Sequence, residues 1–171
     1  GFVELGYEVE VFSPLGGKCE PDAMSDPDDA SKWQSEDVIS RGYKHDPQFL
    51  KLIEATRPVD DIDPERFDAV VVVGGQGPMF TFEDATNLHA KFTEFYEAGR
   101  ICAALCHGVA VLPYARLSDG EQLVAGRTVT GFADARLLAS YLHLPLGARP
   151  ELVAHFVRRC ADCVSYVRAT G

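Results

Sequence analysis

Bases are scarce in this sequence. Sixteen Lys and Arg stand against 26 Asp and Glu, for a formal net charge of −10, and so acidic a chain excludes nucleic acid as an expected partner. No apolar run is long enough to span a bilayer, and no signal-peptide pattern opens the sequence, so no membrane partner is expected. Cysteine is present without forming a framework. Cys19, Cys102, Cys106, Cys160 and Cys163 are odd in number and irregular in spacing, which predicts free thiols in a reducing, cytoplasmic setting. Cys160 and Cys163 make one CxxC with no second pair and no flanking βαβ pattern, so neither zinc nor a redox motif is expected there. The acidic run DAMSDPDDAS lacks the central Gly and the distal Glu of a calcium loop.

What is present points to one α/β domain. Hydrophobic residues make up 46% of 171, enough for the core of one domain. Most of the net charge sits in residues 19–68, with 14 acids and 6 bases, a difference of −8; this reads as a solvated, loop-rich excursion. The opening GFVELGY reads as the last turn of a helix capped by Gly6, and it implies that a helix and a strand precede Gly1. YEVEVF alternates, with Tyr7, Val9 and Val11 on one face, as a strand does. HDPQFLKLIEATRP carries Asp46 as N-cap and Pro47 at the first helical position. FDAVVVVGG is a continuous β-branched run that suits a buried parallel strand covered on both faces. EDATNLHAKFTEFYEAG is a helix with Leu88, Phe92, Phe95 and Tyr96 in one stripe and Gly99 as its stop. RICAAL is the next strand, VAVLPYARL a short helix and RTVTGF a further strand. Strands alternating with helices predict an α/β sandwich around a mainly parallel sheet.

Ligands of such sheets sit beyond the carboxyl ends of the strands. Two glycine-marked strand ends meet that description, VVGGQG at 72–77 and ALCHG at 104–108. Cys106 then has two readings, an inert packed thiol or a nucleophile held up at a strand-to-helix turn, where unpaired N–H groups favour a thiolate. Gly74, Gly75 and Gly108 fit the close backbone approach that the second reading requires. His107 can supply a backbone donor and an imidazole, and Asp134, just past RTVTGF, either orients that imidazole or caps the next element. Cys102 lies within a strand and reads as a core thiol. His45, His89 and His155 have no converging partners and read as surface or helix residues.

Taken together, DAVVVVGGQGPMF, GRICAALCHGVAVL and GRTVTGFAD resemble the ThiJ/PfpI superfamily of glutamine-amidotransferase-like proteins. The adjacent Cys-His and the long SPLGGKCEPD insertion are similar to its heat-shock glyoxalase and chaperone branch. The resemblance covers residues 1–134 and implies a flavodoxin-like three-layer α/β/α sandwich, incomplete at its start. It implies Cys106 as nucleophile, His107 as base, Asp134 as third acid, and the Gly75 and His107 backbones as oxyanion donors. The implied activity is that of a glyoxalase III, a D-lactate dehydratase that turns 2-oxoaldehydes such as methylglyoxal into hydroxy acids. It needs no glutathione, metal or organic cofactor, and a homodimer is a further implied state. Relatives are also described as deglycases, peptidases or holdase chaperones, and an amidase or peptidase using the same nucleophile is the alternative enzyme class.

Two departures stand beside the resemblance. The family's Glu on the helix after the first strand would precede Gly1. Residues 135–171 are Arg-rich, lack Lys and run +3, as a reading-frame change would produce. They are expected to form a separate helical tail with Leu152, Phe156, Cys160, Val164 and Val167 in one stripe.

Overall fold

The computed structural model describes residues 2–23 and 25–127. The chain divides between Ile62 and Asp63 into two compact units. The predicted tail 135–171, with Asp134, His155, Cys160 and Cys163, and all of RTVTGF after Arg127, lie outside the described residues.

The first unit is built from short, locally satisfied pieces. A 3-10 turn, Val3–Leu5, ends at Gly6, whose φ of 88° lets its N–H reach Val3 O, as the Gly6 cap predicts. The alternating stretch 7–11 does not form the expected strand. Pairing is confined to strand β1, Phe12–Ser13, which lies parallel to β2, Arg57–Pro58. Alternation alone does not make a strand, because the backbone also needs a partner to pair with, and Tyr7 stays 63% exposed. The Arg57 guanidinium lies 5.4 Å from the centre of the Phe12 ring across the pair. The acidic excursion folds as a run of Asp-anchored turns. Asp26 Oδ1 accepts the Asp28 N–H and Asp29 Oδ1 accepts the Ser31 N–H, while Lys44 pairs with Asp26 and Asp28. A helix absent from the sequence reading, α1 (Val38–Lys44), starts where Asp37 accepts from Ile39 N and Ser40 N. The next, α2 (Pro47–Glu54), starts at the predicted Asp46 cap, with Asp46 Oδ1 accepting the Gln48 N–H at 2.8 Å.

The second unit carries a βαβ arrangement. Strand β3 (Ala69–Val72) pairs in parallel with β4 (Ile101–Ala104), in register from Ala69↔Ile101 to Val72↔Ala104. Between them run a short helix α3 (Pro78–Thr81) and the longer α4 (Thr86–Glu97). The inner side of α4 buries Leu88, Phe92 and Phe95, and the core continues through Val111, Ala115 and Val124. Cys102 Sγ reaches Phe92 O at 3.8 Å, which places the Cys102 and Val72 side of the ladder against α4.

Two expectations are corrected here. The β3 run was expected to be covered on both faces, yet among the described residues only one side is. Val73 is 68% and Ile101 67% exposed, and these alternate with the buried positions as a pleated strand requires. The helix expected over VAVLPYARL is instead a 3-10 helix, Cys106–Val111, followed by a turn. The fully buried Pro113 brings no N–H to a helix. The chain then folds back, with Leu123 N–H donating to Ala115 O and a bridge between Arg116 and Gln122.

Candidate active site

Parallel, in-register pairing sends the chain out of β3 and β4 at the same edge, so the turns at 73–77 and 105–108 lie side by side, as the strand ends predict. The ladder extends one bond further, from Leu105 N–H to Val72 O at 3.0 Å. Leu105 is still extended, with φ −122° and ψ 144°. The next residue, Cys106, has φ 51° and opens the 3-10 helix. A side chain in the left-handed region costs roughly 1–2 kcal/mol. Such strain persists only where surrounding packing holds it, and it clusters at functional sites.

Two glycines hold this turn. A Cβ on Gly74 would stand 2.7 Å from Cys106 Cβ and 3.0 Å from His107 N. A Cβ on Gly108 would stand 2.5 Å from Val72 O and 2.7 Å from Val73 O. Neither position has room for a larger residue while β3 and the 3-10 helix keep their separation. Gly75 is required for another reason, its φ of 98°. Among the described residues the Gly75 N–H meets no acceptor.

Cys106 is exposed, whereas Cys19 and Cys102 are partly buried. Burial pushes the Cys102 thiol above its ordinary pKa, as suits a core thiol. Cys106 Sγ makes no hydrogen bond to another described residue. The His107 ring is tied elsewhere. Its Nδ1 lies 2.7 Å from Gly75 O, and a carbonyl only accepts, so Nδ1 carries the proton and Nε2 of the neutral ring does not. The imidazole thereby joins the two turns. Asp134 lies outside the described residues, and among those described no group of three His, Cys, Asp or Glu is placed to hold a metal.

A residue that the sequence reading set aside proves to be structural. His89 was expected as a surface or helix residue; it lies within α4, on its buried side, and is only 8% exposed. Its Nε2 lies 2.6 Å from Phe82 O, and its ring stacks on Tyr114 at 5.1 Å with 12° between the planes. Burial lowers its pKa against the raising effect of the Phe82 bond. Its position one residue after Leu88, three before Phe92 and four before the buried Thr93 was the signal available in the sequence.

This geometry can be set beside known proteins. The family model described as DJ-1/PfpI matches residues 3–139. The chain belongs to the DJ-1/PfpI family. Within it the chain is 31% identical over 134 residues to the glutathione-independent glyoxalase hsp3101 of Schizosaccharomyces pombe, covering 77% of this chain and 53% of that one. It is 37% identical over 90 residues to the probable glutathione-independent glyoxalase hsp3103 of the same yeast, covering 51% and 34%. These relatives carry the name of the glyoxalase branch that the motifs resemble. The chain spans about half or less of the length of these two relatives. The fold itself is that of the DJ-1/PfpI structures. Glyoxalase III from Candida albicans superposes with a TM-score of 0.61 at 23% identity, covering 92% of this chain and 65% of that one. The Rapid Encystment Protein of Francisella tularensis does so with a TM-score of 0.65 at 22% identity, covering 88% and 63%.

Proposed function

We propose that this DJ-1/PfpI chain works as a cysteine-dependent, glutathione-independent glyoxalase with Cys106 as its nucleophile. The observation that carries this is the exposed thiol at φ 51°, opening a helix between two glycines that admit no side chain. The Cys106 thiolate adds to the aldehyde carbon of a 2-oxoaldehyde and forms a hemithioacetal. The proton on that carbon moves through an enediol to the neighbouring carbon, so the first carbon is oxidised and the second reduced. The product is a 2-hydroxyacyl thioester, which water cleaves to the hydroxy acid and the free thiol. No external oxidant or reductant takes part.

In this scheme His107 is the base. The bond from Nδ1 to Gly75 O fixes the tautomer and leaves Nε2 as the nitrogen able to take the proton. The N–H groups of Gly75 and His107 are the proposed donors to the oxyanion of the hemithioacetal. Asp134 is proposed to stabilise the imidazolium. The substrate is a small aldehyde of the methylglyoxal type, handled in solution rather than at a membrane. The test is methylglyoxal loss followed with purified protein. Cys106→Ser abolishes turnover, and iodoacetamide at limiting amounts labels Cys106 ahead of Cys102. Turnover in the Ser variant, or equal labelling of the two thiols, refutes the nucleophile.

A second reading is a holdase that shields unfolded chains. It is favoured by the uncovered side of the β3–β4 ladder, where Val73, Ile101 and Leu105 are 68%, 67% and 55% exposed. Suppression of client aggregation that survives Cys106→Ser supports it. Hydrolysis of a peptide or amide panel would point to the hydrolase alternative instead.

A further inference from the structure

We infer that His89 is a positioning residue that clamps together the two segments leaving the Cys106 site. This rests on the role proposed for Cys106. The first segment runs from the Gly74-Gly75 turn through α3 to Phe82, which closes that helix with its N–H on Pro78 O. The second runs from Cys106 through the 3-10 helix to Tyr114, whose N–H donates to Val111 O. One imidazole engages both. Its Nε2–H donates to Phe82 O at 2.6 Å, and its face lies on the Tyr114 ring. The Phe82 carbonyl also takes the Ala85 N–H at 3.3 Å, so the shorter bond is the one from His89.

The site depends on the separation of these segments. The Gly75 O to His107 Nδ1 bond is 2.7 Å long, and Gly74 sits directly against Cys106. A small sliding of α3 relative to the 3-10 helix breaks the first contact and opens the second. An apolar side chain at position 89 fills the space beside Leu88 and Phe92 without fixing that spacing, because packing is not directional. A buried polar ring that satisfies a backbone carbonyl and stacks on a fixed partner does fix it.

The experiment compares His89→Phe, which keeps the stacking surface and drops the donor, with His89→Gln, which keeps an amide donor of similar reach, and with Tyr114→Leu, which removes the other half of the clamp. Each is measured for Cys106 alkylation by iodoacetamide, for kcat and KM with methylglyoxal, and for Tm. In His89→Phe we expect alkylation and kcat to fall roughly tenfold with KM nearly unchanged, as for misplacement well under 1 Å. We expect partial rescue in His89→Gln and a smaller fall in Tyr114→Leu. Unchanged alkylation in folded His89→Phe overturns the inference. If that variant does not fold, unchanged alkylation in both His89→Gln and Tyr114→Leu overturns it. Failure of all three to fold makes His89 a plain stability residue and overturns it too. Should the wild-type chain turn over no methylglyoxal, the glyoxalase proposal fails, while the alkylation series still judges His89.

Discussion

The two units differ in how they are held. The first buries Val59 and Ile62 while leaving Leu15 91%, Val38 78% and Trp33 68% exposed. Its contacts are caps, Asp-anchored turns and surface ion pairs such as Lys18–Glu20 at 2.7 Å, each worth little when solvated. The second buries a continuous set from Val72 through Phe92 and Phe95 to Val124. The strained Cys106 belongs to the second. A residue at φ 51° needs neighbours that cannot relax, and a packed core supplies them where a run of turns does not. The proposed chemistry and the packing density therefore coincide in this chain, and the charge that dominates its composition lies elsewhere.

The largest test of this contrast is truncation. Phe95 is 1% exposed, so Phe95→Ala is expected to cost about 3–5 kcal/mol. Leu15→Ala in the first unit is expected to stay within about 0.5 kcal/mol. Denaturant unfolding of the two variants, with hydrogen exchange to locate the loss, checks both. Equal costs would mean that the first unit has packing that its exposures conceal.

Glycine replacement gives the next effect and reverses its sign between units. Gly108→Ala puts a Cβ 2.5 Å from Val72 O, and overpacking against a backbone carbonyl is expected to cost about 1–3 kcal/mol and to slow Cys106 alkylation. Gly42 lies inside α1 with nothing within 4 Å of an added Cβ. Gly42→Ala is expected to stabilise by about 0.5–1 kcal/mol. Thermal melting of both variants tests the reversal.

Acid should reach the units in turn. His89 is held neutral by burial, and its ordinary pKa is about 6.5. Below that pH the unfolded chain binds a proton that the folded chain resists, so the second unit loses stability as pH falls. In the first unit Asp26, Asp29 and Asp37 are held below the usual carboxylate range by hydrogen bonds from Lys44, Ser31 and Ser40, respectively. Their smaller, solvent-screened contribution is present at neutral pH and is lost only below about pH 4. Thermal melting across this range should show a first decline that disappears in His89→Phe. Trp33 fluorescence, which reports on the first unit, should stay flat through it.

The smallest expected effect is that of Asp134→Asn. Gly75 O already orients the His107 ring through Nδ1, so the carboxylate would add only charge stabilisation of the imidazolium. A modest fall in kcat with unchanged Tm fits that role. No change in either quantity assigns Asp134 to capping, since Asn caps as well as Asp.

Much of the site was legible because its demands are local. The glycines at 74, 75 and 108 and the strand ends around them announce close backbone approach, and parallel pairing then brings the turns together. Asp46-Pro47 and Gly6 likewise act within one turn of chain. What escaped depends on distant partners. The stretch 7–11 alternates correctly but pairs only at 12–13, because a strand is defined by its neighbour. The β3 run is apolar on both sides, yet α4 covers one. His89 is polar on a largely apolar side of a helix, and only the arrival of Phe82 O and Tyr114 makes that position satisfactory.

The backbone at Cys106 has a consequence for how this chain tolerates change. A glycine there would relax the left-handed strain and leave the Gly108 contacts with Val72 O and Val73 O undisturbed, at the expense of the sulfur and of the Cβ that faces Gly74. Stability and reactivity thus pull in opposite directions at one codon. A lineage selected only for robust folding would be drawn to lose this cysteine first, so a cysteine at position 106 of a stable homologue is itself a sign that its chemistry is still in use.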